Sequence, residues 1–220
     1  MAVRPSEARV RVAAREVGVS IHGDGDTALV LFHGAGGNRR TPFLVTVADA
    51  LAAAGHRVLL ANFPYTEDGR KVPDKPDVLE AAVDAVATWA ERDLGVRRVI
   101  LGGKSMGGRM ASQLAAKGRA CAGLVFLGYP LHPPGREEAL RDAHLGKIRA
   151  PMLFLQGTRD DFARWELIEA VTRRLGPLAT LHRVEGGDHS FKVLKKSGRT
   201  AQEVEAEIVS AITRWVAALA

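Results

Sequence analysis

The chain has 220 residues, 46% of them apolar and 25% charged, with a formal net charge of +6. That composition suits one water-soluble globular domain, and no apolar run approaches the ~20 residues of a membrane span. Basic residues are dispersed among acidic ones rather than clustered, which argues against a nucleic-acid partner. The lone cysteine, Cys121, excludes an internal disulfide and a multi-cysteine metal site, and its apolar surroundings predict a small buried hydrophobe.

Residues 1–17 are basic but lack an apolar block followed by a small-residue cleavage site, so a cytoplasmic protein is expected. Residues 9–22 read as one or two edge strands, antiparallel to their neighbours. From residue 27 onward, short apolar runs alternate with helical patterns. The runs are residues 27–32 (TALVLF), 57–61 (RVLLA), 98–101 (RVIL), 124–128 (LVFLG), 152–156 (MLFLQ) and 180–184 (TLHRV). Apolar on both sides, they suit parallel strands covered on both faces. Between them, helices are predicted over residues 41–54, 76–94, 106–117, 161–175 and 202–219, most of them stopped by a glycine. Residues 66–76 are polar and rich in proline and aspartate, as in a surface loop. Strands alternating with helices predict an α/β fold with a mostly parallel central sheet and helices on both faces.

The third of those parallel runs, RVIL, leads into Gly102-Gly103-Lys104-Ser105-Met106-Gly107-Gly108 and then a helix. This is G-x-S-x-G between strand and helix, the context the nucleophile elbow requires. Ser105 must stand on a tight, strained turn, and Gly103 and Gly107 remove side chains that would strike the neighbouring strand and helix. The helix start aims free N–H groups and a partial positive charge at the reaction centre. A phosphate loop is excluded by the glycine spacing before Lys104.

A serine hydroxyl needs a base, an orienting acid and donors for an oxyanion. TALVLF runs into His33-Gly34-Ala35-Gly36-Gly37, whose small residues let backbone amides approach a substrate. Ala35 and Met106 are the expected donors, with Gly36 as a substitute for Ala35. His33 is expected to pin this loop through hydrogen bonds. MLFLQ runs into Gly157-Thr158-Arg159-Asp160-Asp161, which makes Asp160 the candidate acid, with Asp161 as the alternative or as a helix cap. TLHRV runs into Glu185-Gly186-Gly187-Asp188-His189, and His189 on its glycine-flanked loop is the candidate base. The order Ser…Asp…His is that of the α/β-hydrolase fold. Lys104, Arg159 and Lys192 fall near the same rim, either to favour anionic substrates or as solvated and paired charges.

Over nearly its whole length the chain resembles the α/β-hydrolase superfamily. HGAGGN, GGKSMGGRMAS, QGTRD and GGDHSF are similar to a small lidless branch related to dienelactone hydrolases, which includes proteins similar to testis-expressed protein thirty. The resemblance implies one α/β-hydrolase domain over residues 1–220, a triad of Ser105, Asp160 and His189, and an oxyanion hole of Ala35 and Met106. True dienelactone hydrolases carry cysteine at the elbow, so serine here does not imply lactone chemistry. The short connection between Tyr129 and Met152, with at most one helix over residues 136–144, leaves no room for a lid. The expected function is a serine hydrolase cleaving an ester or thioester of a small soluble substrate, with no cofactor, metal, nucleic-acid or membrane partner. The alternatives are an acyltransferase or thioesterase, or a binding protein that retains the fold without turnover.

Overall fold

The computed structural model describes residues 5–219; the first four residues of the basic opening stretch, and Ala220, lie outside that span. In chain order the elements are β1 (Ser6–Val12), β2 (Arg15–His22), β3 (Thr27–Phe32), α1 (Pro42–Ala53), β4 (Arg57–Ala61), α2 (Pro64–Glu67), α3 (Pro76–Asp93), β5 (Arg98–Lys104), α4 (Met106–Ala116), β6 (Gly123–Leu127), β7 (Met152–Gly157), α5 (Trp165–Leu175), β8 (Ala179–Val184) and α6 (Ala201–Ala217). All the strands join one eight-stranded sheet in the order β1-β2-β4-β3-β5-β6-β7-β8. The hairpin β1–β2 is antiparallel and docks antiparallel on β4, as expected of residues 9–22. From β4 to β8 every pairing is parallel.

Side chains alternate across a strand, so each apolar run supplies both faces of the sheet. Leu29, Leu31, Leu60, Ile100, Val125 and Leu153 pack on one face against α1 and α6. Val30, Phe32, Leu59, Leu101, Phe126 and Phe154 pack on the other, against α3, α4 and α5. Burying each such side chain fully contributes about 1.5–3 kcal/mol, so the central strands are fixed in register by both layers at once. A one-residue slip of β5 would exchange its faces and drive Ile100 and Leu101 into the wrong layer.

One helix that the sequence allowed is absent, and two elements differ in their bounds from the sequence reading. Residues 136–144 form no helix: the chain runs through turns and irregular backbone to a short 3-10 turn at Leu145–Lys147. Prolines 133 and 134 and Gly135 open this segment, and tertiary bonds then hold it, with Arg141 N–H donating to Leu131 O at 2.7 Å and the Tyr129 hydroxyl to Arg141 O at 2.8 Å. Helix α5 starts at Trp165, not at Asp161. Residues 161–164 are committed elsewhere: Phe162 N–H donates to Asp160 Oδ1 at 2.7 Å and Arg164 N–H to His132 Nε2 at 3.0 Å. Strand β5 also runs on through Gly102 and Gly103, which pair with Val125 and Phe126 of β6. The connection from β6 to β7 contains no α-helix, and the fold has no lid domain.

Candidate active site

Four loops leave the C-terminal ends of parallel strands on the same rim, which is where open α/β sheets place their ligands. The loop after β3 carries Ala35, the turn after β5 carries Ser105, the loop after β7 carries Asp160 and the loop after β8 carries His189.

Ser105 sits between β5 and α4 with φ 51° and ψ −112°, a backbone conformation that costs a non-glycine residue of order 1–3 kcal/mol. Its neighbours explain how the turn is held. A Cβ on Gly103, at φ 145°, would lie 2.1 Å from the Phe32 carbonyl oxygen, and one on Gly107 would lie 2.3 Å from the same atom. Strand β3 therefore passes directly beneath the elbow, and only glycine fits two residues before and two residues after the serine.

The imidazole of His189 bridges the other two residues. Its Nε2 is 2.8 Å from Ser105 Oγ and its Nδ1 is 2.8 Å from Asp160 Oδ2. The hydrogen-bond network assigns the tautomer: Nδ1–H donates to the carboxylate and Nε2 accepts from the serine hydroxyl. The Asp160 side chain is fully buried and is satisfied from every side. Gln156 Nε2 donates to Oδ2 at 2.5 Å, and Phe162 N–H donates to Oδ1. Gln156 is itself held by the Tyr129 N–H, which donates to Oε1 at 2.9 Å. The Phe162 ring lies tilted over the imidazole at a centroid distance of 4.3 Å. Asp161, the alternative acid, takes no part; nor does it cap α5, whose N-cap is Arg164.

Neither the Ala35 nor the Met106 amide has an acceptor among the described residues. Gly36, the substitute donor, is already engaged, its N–H donating to the Tyr65 hydroxyl at 3.2 Å. His33 is buried behind this loop, as its place in the sequence suggested. Its Nδ1–H donates to Gly34 O at 2.8 Å, and its Nε2 accepts the Phe63 N–H at 3.2 Å. Burial lowers its pKa to about 4, against a weaker upward pull from the Gly34 carbonyl. The imidazole is therefore neutral at pH 7 and acts as a structural pin.

The base loop contains residues that the sequence did not single out. Asp188 Oδ1 accepts the Ser190 and Lys192 N–H groups at 2.8 and 2.9 Å, and Phe191 N–H donates to Asp188 O at 2.9 Å. Phe191 has φ 61°, is buried, and stacks on Phe43 of α1 at 5.3 Å. The apolar Phe two residues after the histidine was a signal available in GGDHSF. Of the three basic residues near the rim, Arg159 is exposed and donates to Gly186 O at 3.1 Å, and Lys192 is exposed. Lys104 instead turns inward, its ammonium donating to the His189 carbonyl oxygen at 2.5 Å. Cys121 is half-buried, remote from these loops, and burial pushes its thiol up to about 11. Among the described residues no helix is long and apolar enough to cross a membrane, and no cluster of three or more His, Cys, Asp or Glu side chains could hold a metal ion.

The model of the alpha/beta hydrolase domain family matches residues 25–217. The chain belongs to the α/β hydrolases. Within that superfamily the solved structures it is similar to include a lidless α/β serine hydrolase from Xanthomonas campestris, at 18% identity and a TM-score of 0.76, covering 98% of this chain and 96% of that one. They also include a dienelactone hydrolase from Anabaena variabilis, at 21% identity and a TM-score of 0.75, with 97% of each chain covered. At these identities the likeness is one of fold, and this α/β hydrolase shares the lidless architecture of those structures. A sequence relative, a 2-hydroxy-6-oxononadienedioate/2-hydroxy-6-oxononatrienedioate hydrolase from Pseudomonas sp, is 32% identical over 125 residues, which are 54% of this chain and 44% of that protein. The matched region thus spans less than half the length of that relative.

Proposed function

We propose that this α/β hydrolase is a serine hydrolase that cleaves a carboxylic ester or thioester of a small soluble substrate through an acyl-enzyme on Ser105. One observation carries the proposal: an imidazole in hydrogen-bond reach of both a strained serine and a fully buried carboxylate. His189 Nε2 takes the hydroxyl proton as Ser105 Oγ attacks the carbonyl carbon. The Ala35 and Met106 amides receive the developing oxyanion, and each such donor lowers the barrier by about 3 kcal/mol. The partial positive charge at the start of α4 adds to this field. Asp160 holds the tautomer and stabilises the imidazolium. The imidazolium then gives its proton to the leaving alcohol or thiol, and water repeats the cycle in reverse on the acyl-enzyme.

The substrate class follows from the mouth of the site. Ala35 and Gly36 are exposed, and among the described residues the connection from β6 to β7 forms no α-helix that could cover the rim. Short acyl groups are expected to be preferred. The test is hydrolysis of a p-nitrophenyl ester series together with acyl-thioesters. Acetate and butyrate esters should turn over with a kcat that falls by several orders of magnitude in His189→Ala. No turnover across the whole panel by the wild-type protein would favour the non-catalytic binding reading.

A further inference from the structure

Lys104 occupies the first variable position of the G-x-S-x-G elbow, yet its side chain does not reach out over the rim. It runs beneath the loop that carries His189, and its Nζ donates to the His189 carbonyl oxygen. The Phe191 ring faces the same ammonium, with the centroid 5.7 Å away. Space for this contact is provided by Gly128, at the end of β6 with φ 71°. A Cβ there would stand 3.0 Å from Lys104 Nζ and 3.2 Å from His189 O. Three elements thus cooperate in one contact: β5 supplies the cation, β6 the gap and the loop after β8 the acceptor.

We propose that Lys104 is a positioning residue of the reaction, tying the backbone of the base to the strand that carries the nucleophile. This deepens the hydrolase reading and rests on it for its catalytic meaning. The geometry gives the reason. His189 rides on a glycine-flanked loop; bonds through Asp188 fix its shape and bonds from Arg159 to the Gly186 and Gly187 carbonyls hold it to the loop after β7, but none of these reaches the strand that leads into Ser105. The Lys104 bond does reach it, because Lys104 and Ser105 are adjacent on the chain. A charge-assisted bond to a carbonyl is roughly twice as strong as a neutral one, which favours an ammonium over a neutral donor here. Misplacing a base by about 1 Å can cost about 100-fold in rate.

The tie is also titratable. Burial lowers the Lys104 pKa to about 8, against upward pulls from Asp160 and Asp188. Those carboxylates, with His189 itself, are the titratable groups that face it. Below pH 8 the ammonium is present and the bond is charge-assisted; above pH 8 the amine is neutral and the bond weakens. The wild-type kcat should therefore decline on the alkaline side with a midpoint near pH 8.

The experiment compares wild type with Lys104→Met, an unbranched side chain one heavy atom shorter that removes the donor. For p-nitrophenyl acetate at pH 7, kcat should fall by about tenfold to 100-fold with KM within about twofold, and the alkaline decline should vanish. Amide hydrogen exchange over residues 186–193 should speed up in the variant, a readout that does not depend on turnover. Unchanged exchange in a folded Lys104→Met protein, or an unchanged kcat, overturns the proposal. Should the variant fail to fold, a wild-type kcat flat from pH 7 to 9.5 overturns it and a decline near pH 8 supports it. A wild-type protein without any activity, but with faster exchange in the variant, would remove the hydrolase reading and leave the tie standing.

Discussion

Asp160 receives three donors: His189 Nδ1–H, Gln156 Nε2–H and Phe162 N–H. An asparagine has one oxygen, so Asp160→Asn must set its own NH₂ against one of those donors. The variant should keep its fold but lose about 10⁴-fold in kcat through the wrong imidazole tautomer, measured by ester hydrolysis at pH 7. Gln156 has no such freedom to be read from sequence. It looks like the last residue of a buried strand, and only the structure shows it bonded to both Asp160 and the Tyr129 amide. The sequence pointed to Ser105, Asp160, His189, Ala35 and Met106 because each follows a recognisable apolar run, and the structure brings the first three within hydrogen-bond reach of one another. Lys104 was visible in sequence as a rim charge, either favouring anionic substrates or solvated or paired, and the structure turns it inward past the gap at Gly128 onto the His189 carbonyl. That gap is a property of β6 packing and leaves no local mark in the sequence around Lys104.

At the scale of elements, the elbow is the turn with the least tolerance. Gly103→Ala and Gly107→Ala would each place a methyl group within 2.1 to 2.3 Å of the Phe32 carbonyl oxygen. Both should destabilise the protein by about 3 kcal/mol or more, seen as a large drop in the denaturant midpoint or as loss of soluble protein. Helix α6 offers a milder test. Thr200 and Glu203 form a capping box, with Glu203 N–H donating to Thr200 Oγ1 at 3.2 Å and Thr200 N–H donating to Glu203 Oε2 at 2.7 Å. Thr200→Ala should cost about 1 kcal/mol by urea titration and leave kcat unchanged. Strands β3 to β7 were readable because both sheet faces are buried there and the apolar runs are continuous, whereas the edge strand β8 is only partly buried. The start of the helix predicted from residue 161 was misread, and the short helix allowed over residues 136–144 is absent, for one shared reason. Their local composition permits a helix, but their backbone groups bond to distant partners such as Leu131, Tyr129 and His132.

For the molecule as a whole, the neutral buried His33 sets a pH dependence of stability. His33 titrates near 4 when folded and near its ordinary 6.5 when unfolded, and burial also lowers His56 and His144. Above pH 6.5 neither state of His33 carries the proton and its contribution to stability is fully present. As pH falls from 6.5 to about 4 the unfolded chain takes up a proton that the folded one refuses, and about 3 kcal/mol is lost through His33 alone. Urea midpoints should fall across that window, and His33→Asn should flatten the decline. The order of the sheet explains why so distant a set of residues meets at all: β3, β5 and β6 are neighbours, with β7 and β8 following, so four loop ends share one rim. That convergence leaves the Ser105 hydroxyl as the group that a serine-directed reagent should find. The direct measurement is intact-mass and peptide analysis after treatment with a fluorophosphonate. The account predicts one adduct per chain, on Ser105, absent from Ser105→Ala. A wild-type chain that stays unlabelled, or an adduct that survives in Ser105→Ala, would contradict it.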